Sequence, residues 1–290
     1  MIPRRVKIAI LIAFLFHGLF ILTGRYRLSY DAYTHILFAN HYAENWFSLW
    51  EPRWYTGFTV VSYPPLIHQL IALFIPLLGF EGAFALMLWV VTTLYPIGLY
   101  GLSRVFVGKS ASSYAALFSA ALLPLYVVAH IFGQLPFLAS TLIALFGAVS
   151  LNRYLREGGI LNLLLTVSLI TTSIAAHHAT LMIHPFLVFA VLIKNIANHR
   201  SINRLQEGRS QIFVTWWFAL FSRLMLFASL AVLTSCIVIW PFWEWGMRQT
   251  MQTPIDHPSR HNFFTDPLAS AIFFWPLYGP LVLIIPFIFQ

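Results

Sequence analysis

The chain has 290 residues, of which 59% are hydrophobic, 17% aromatic and only 9% charged, with a formal net charge of +8. A soluble domain carries roughly 25% charged residues, so this composition excludes one and points to a chain that spends much of its length in lipid. Lipid offers backbone groups no partner, and the long apolar runs lack the alternation of barrel strands, so an all-α, polytopic transmembrane helix bundle is predicted.

The first predicted element is an uncleaved anchor. Arg4, Arg5 and Lys7 flank an apolar stretch over residues 8–22, and no small-residue cleavage site intervenes before Arg25. Basic flanks stay inside, which predicts a cytoplasmic N-terminus in the cell membrane. Residues 25–82 are then expected to form a large external loop. Within it Ile36, Ala39, Ala43, Phe47 and Trp50 recur at helical spacing, predicting an amphipathic helix on the outer leaflet with Trp46 and Trp50 at headgroup level. Asp31 and His35 stand four apart and share a face, and Asp31 is also a favoured N-cap residue. Residues 66–78 are short for a span, contain Pro76 and lead to Glu81, so they are read as a helix lying in or dipping into the outer interface.

Spans follow near 8–24, 83–103, 112–129, 136–152, 160–176, 179–193, 224–240 and 268–289, about eight in all, with a second external loop over 241–267. This assignment makes Arg4, Arg5, Lys7, Arg104, Lys109, Arg153, Arg156, Lys194, Arg200, Arg204, Arg209 and Arg223 cytoplasmic, twelve of the 17 basic residues. Seven of nine carboxylates fall outside: Asp31, Glu44, Glu51, Glu81, Glu244, Asp256 and Asp266. The positive charge is thereby a topology signal, and no nucleic-acid partner is expected because no basic-aromatic groove accompanies it. His17 and His184, inside spans, should face the bundle interior. The lone Cys236 lies in an apolar run and reports no disulfide framework. No phosphate-binding loop, dinucleotide fingerprint, serine-hydrolase elbow or zinc-protease motif appears.

An N-terminal anchor, an acidic residue just outside it, interfacial helices, "YPPL" at 63–66 and "SRVFVGKSASSYAALFSAALLP" at 103–124 together resemble the GT-C superfamily of membrane glycosyltransferases. The wording of "EPRWYTGF", "GQLP" (133–136), "AHH" (176–178) and "HPSR" (257–260) is more similar to the membrane proteins grouped as 6-pyruvoyl-tetrahydropterin synthase-related. The resemblance implies a GT-C-like fold in the lipid bilayer and transfer of a sugar from a polyprenyl-phosphate donor on the outer face. It makes the acidic residue of the first external loop base or metal ligand, and Asp31 is the matching position; His35, on the same helix face, is the second catalytic candidate.

A leaving phosphate needs a cation, and Arg260 and Arg53 are the external arginines offered for that task, their forked donors fitting phosphate. Tyr63, His178 and His257 complete the expected substrate-binding set, with Gln134 in the pocket wall. Metal-using branches of the superfamily carry paired acids in the first loop, whereas "YDAY" supplies one, so no cofactor is expected. A divalent metal at His177 and His178 with His35 or His257 is left open, against the divergence of about 100° between adjacent helical residues. The resembling proteins continue with further spans, so the chain is expected to be one transmembrane domain forming the N-terminal portion of a longer protein. Two other readings stay open: a transporter or lipid flippase, marked by ionisable residues near midplane and paired broken helices, and a non-catalytic scaffold of a cell-envelope polysaccharide assembly. The oligomeric state is not legible.

Overall fold

A computed structural model describes residues 2–54, 56–60, 63–204 and 210–248. The chain is mostly helical, as its composition requires. α1 (Arg4–Leu22) rises to a 3-10 turn (Arg25–Leu28) and to α2 (Ala32–Glu44), after which β1 (Trp50–Glu51) and β2 (Phe58–Thr59) pair antiparallel with Trp50 opposite Thr59. Then follow α3 (Leu66–Phe106), α4 (Lys109–Ser119), α5 (Leu123–Tyr126) continuing into a π-helical turn (Val127–Phe132), α6 (Leu135–Glu157), α7 (Ile160–Ala176), α8 (Thr180–Arg204) and α9 (Ser210–Arg248).

α3 has 41 residues, about 60 Å at 1.5 Å per residue and twice the thickness of a hydrocarbon core, so it cannot be one straight span. It breaks at Gly79, whose backbone (φ 69°, ψ 174°) is open to glycine and strained for other residues. The second half runs antiparallel to α1: the Trp89 indole donates to the Phe14 carbonyl at 2.9 Å, and Tyr100 reaches the cluster around Val6 and Ala9. The first half instead pairs with α2. Gln69 Nε2 donates to the Trp46 carbonyl at one end of that pair, and Glu81 accepts from Tyr33 Oη at the other. Arg27 closes the corner with a 2.7 Å ion pair to Glu81. The pair formed by α2 and residues 66–78 thus leaves the end of α1 and returns to it.

Five helices among the described residues are long and apolar enough to cross a membrane: α1, α3, α6, Thr180–His199 within α8 and Thr215–Glu244 within α9. Lys109–Ser119 and Leu123–Phe132, bent by 41°, make a sixth if they count as one broken span, while Ile160–Ala176 is shorter. The stretch expected to be a straight span over 112–129 is therefore interrupted, at a break where Pro124 opens α5. α9 runs through Pro241 to Arg248, so the helix extends into the stretch assigned to the second external loop. Residues 249–290, with the span expected at 268–289, lie outside the described residues.

Short turns make successive helices alternate in direction. Arg4, Arg5, Arg104, Lys109, Arg153 and Arg156 consequently share one end, where Arg223 Nη1 donates to the Leu155 and Arg156 carbonyls at 2.8 and 3.0 Å and caps α6. Asp31, His35, Glu51, Glu81, Gln134 and His177 share the other.

Candidate functional site

The site is built where the end of α1, the start of α2, the π-helical turn and the α7–α8 turn meet. Asp31 occupies the N-cap position of α2, yet its side chain makes no capping hydrogen bond. What holds it is the turn before α6. Tyr30 and Asp31 backbone amides donate to the Ile131 and Phe132 carbonyls at 2.9 Å each, and the Gln134 amide donates to Asp31 Oδ2. Gly133 permits this contact: its φ is 71°, and a Cβ there would stand 2.9 Å from the Ala32 nitrogen. Asp31 has no cation within ion-pair distance among the described residues, and burial pushes its carboxyl above the usual range.

One turn on, His35 begins a string of rings. Its Nδ1 lies 3.1 Å from His68 Nε2. Tyr63 packs edge-on to His35 with centroids 5.0 Å apart and to His177 at 5.3 Å, and His177 lies 5.2 Å from His178. Phe38 and Phe137 pad the two sides. Burial, with the neighbouring His68 and His177, holds His35 well below the ordinary imidazole range, and burial takes His177 down to about 4. These rings are neutral at physiological pH, offering hydrogen bonds without added charge.

The structure thus brings together Asp31, His35, Tyr63 and His178. His177 joins through a feature that helical periodicity misrepresents: it is not helical. Its backbone is extended (φ −162°, ψ 120°) at the end of α7, so the two adjacent imidazoles stand side by side and do not splay by 100°. Its Nδ1 accepts from the Ala179 amide at 3.1 Å, fixing the turn. His68, inside the apolar run before Pro76, gave no signal as a site residue because its spacing partner, His35, comes from another helix. Among the described residues no three His, Cys, Asp or Glu side chains are arranged to hold a metal ion.

Arg53 belongs to a second polar cluster. Its Nε and Nη2 clasp both Glu51 oxygens at 2.7 and 2.6 Å, and Nη1 reaches Glu44 at 3.2 Å. Buried His41 adds Nδ1 to Glu51 Oε2 at 3.1 Å and Nε2 to the Ser48 carbonyl at 2.6 Å. The arginine offered for a phosphate has its fork filled by a carboxylate, and the bidentate guanidinium pulls Glu51 down to about 2. His257 and Arg260 lie outside the described residues.

The apolar pattern of α2 holds at Ile36 and Ala39, which are buried, and fails beyond: the helix ends at Glu44, Phe47 is 93% exposed and Trp50 sits in β1. The buried face turns instead through His35, Phe38, His41 and Tyr42. His130, which falls between the spans expected at 112–129 and 136–152, lies in the π-helical turn and pairs with buried His17 at 2.8 Å. His184 bonds to Ser173 Oγ at 2.6 Å.

No family model, no curated protein and no solved structure matches the chain.

Proposed function

We propose that the protein is a membrane glycosyltransferase that takes its sugar from a polyprenyl-phosphate-linked donor, with Asp31 as general base. The observation that carries this reading is the state of Asp31: a half-buried carboxylate at the end of a helix bundle, held by an amide, its side chain capping no helix and, among the described residues, pairing with no cation. A carboxylate raised by burial is a better proton acceptor than an ion-paired one. In the reaction, an acceptor hydroxyl would give its proton to Asp31 as its oxygen bonds the anomeric carbon. The bond from that carbon to the phosphate oxygen breaks, and the electron pair leaves with polyprenyl phosphate. Neutral His177 and Tyr63 would orient sugar hydroxyls, and fully buried His35 would hold the Tyr63 ring in place from behind. The cation for the departing phosphate falls to Arg260.

The test is transfer of label from a polyprenyl-phosphate sugar by wild type and Asp31→Asn, alongside thermal stability in detergent. The Asp31 side chain makes no capping hydrogen bond and Asn has the same size, so a folded variant that has lost transfer supports the proposal. Unchanged transfer would assign Asp31 to structure and move weight to the scaffold reading.

A second reading has its own observation. His17 and His130 are buried against Phe20 and Tyr126, with the outer nitrogen of each lacking a partner, beside a span bent by 41°. Such a pair favours a proton-coupled transporter; substrate-dependent proton uptake into proteoliposomes, abolished in His130→Phe, is its test.

A further inference from the structure

At the opposite end of the bundle α1 and α4 run side by side in the same direction. Val6, Ala9 and Ala13 pack against Ala116 and Ala120, small residues that let the two backbones approach. The two N-termini therefore stand together. Each carries unsatisfied amides and about half a positive charge, and neither N-cap residue, Pro3 or Gly108, supplies a side-chain acceptor.

Between them opens a cavity of about 690 Å³ lined by Arg4, Arg5, Lys109, Ser110 and Ser113. Arg5 is preset there, its guanidinium 4.3 Å above the Tyr114 ring and its Nη1 3.4 Å from Ser110 Oγ. Among the described residues no carboxylate pairs with Arg4, Arg5 or Lys109, and the ion pair at the same end, Arg153 with Glu157, is closed on itself. Parallel packing has thus gathered three side-chain cations and two positive helix ends around a hollow with no anion.

We propose that this cavity binds the phosphate headgroup of an anionic phospholipid. Cations and helix N-termini supply the charge complementarity. A stripe beside it supplies the rest: Ile8, Leu11 and Leu15, 40%, 56% and 59% exposed, continue down α1 from the cavity at helical spacing and give an acyl chain a surface to follow. Free phosphate would use the cations and leave that stripe idle. The site is independent of the reaction assigned to the other end.

Native mass spectrometry of the full chain in detergent, titrated with phosphatidylglycerol or phosphatidylcholine, tests it. Phosphatidylglycerol should be retained at concentrations roughly tenfold lower or more. The triple variant R4Q/R5Q/K109Q should lose that preference, while K7Q/R156Q/K194Q, which removes as much charge from the same end, should keep it. Ser110→Trp fills the cavity and leaves every cation and the topology signal in place, so it should also lose the lipid, even if the triple variant fails to insert. Equal retention of the two lipids, equal losses in both triple variants, undiminished binding by Ser110→Trp, or displacement of the lipid by millimolar inorganic phosphate would each overturn the proposal.

Discussion

Two carboxylates at the same end of the molecule, Asp31 and Glu51, have been given opposite surroundings. Glu51 is fully buried, clasped by Arg53 and touched by His41, and is held down to about 2. Asp31 is partly buried, meets only the Gln134 amide among the described residues, and is pushed up. A guanidinium fork outweighs the cost of burying Glu51, whereas the neutral Gln134 amide does not outweigh burial at Asp31. The lesson is one of roles: the paired group fastens the β1–β2 loop to α2, and the unpaired one is left able to accept a proton. Two carboxylates whose environments drive them apart are a recognisable mark of divided labour.

The two carboxylates should differ most in what their removal does to the reaction. Asp31→Asn should lower transfer by about 10² to 10⁴, while Glu51→Gln, measured in the same assay on the protein that remains folded, should change it far less. Next comes stability. Glu51→Gln removes the negative charge and one of the two acceptor oxygens that Arg53 and buried His41 share, and a loss of ~2–3 kcal/mol is expected from charge-assisted hydrogen bonds of this kind, visible as a lower midpoint in detergent thermal unfolding. Gly133→Ala should cost ~1–2 kcal/mol for the left-handed backbone alone, with the displaced Gln134 also lowering transfer; intact stability and activity would show that the 133–134 turn does not position Asp31.

The smallest effect concerns pH and carries opposite signs at the two sites. Glu51 is lower in the folded chain than its ordinary value of 4.5, so its stabilisation is fully present above that value and is lost as pH falls from about 4.5 towards about 2. Glu51→Gln should flatten the acid limb of the stability curve. Asp31 is raised, so its ionised form opposes folding once pH passes its ordinary 3.8. Asp31→Asn should therefore leave stability at neutral pH equal to or slightly above wild type, as expected of a group kept for function. A destabilised Asn variant would make Asp31 structural and erase the contrast.

The order of residues alone is enough to read a helical protein with helices of membrane-spanning length, their alternating direction, and the gathering of basic residues at one end. Those features follow from composition and from apolar runs of span length, which are local properties. Local signals also placed an interruption after 66–78, since Pro76 and Glu81 flank Gly79, where the helix turns. Tertiary structure decided the rest. Only the fold could bring Gln134 to Asp31, 103 residues apart, or His68 to His35, 33 apart, because each partner arrives on a different helix. Only the fold could fill Arg53, since a guanidinium two residues from Glu51 reads in sequence as a free external cation until the loop closes on α2. And His177 with His178 could be placed side by side only once the helix was seen to end between α7 and α8, where periodicity no longer applies.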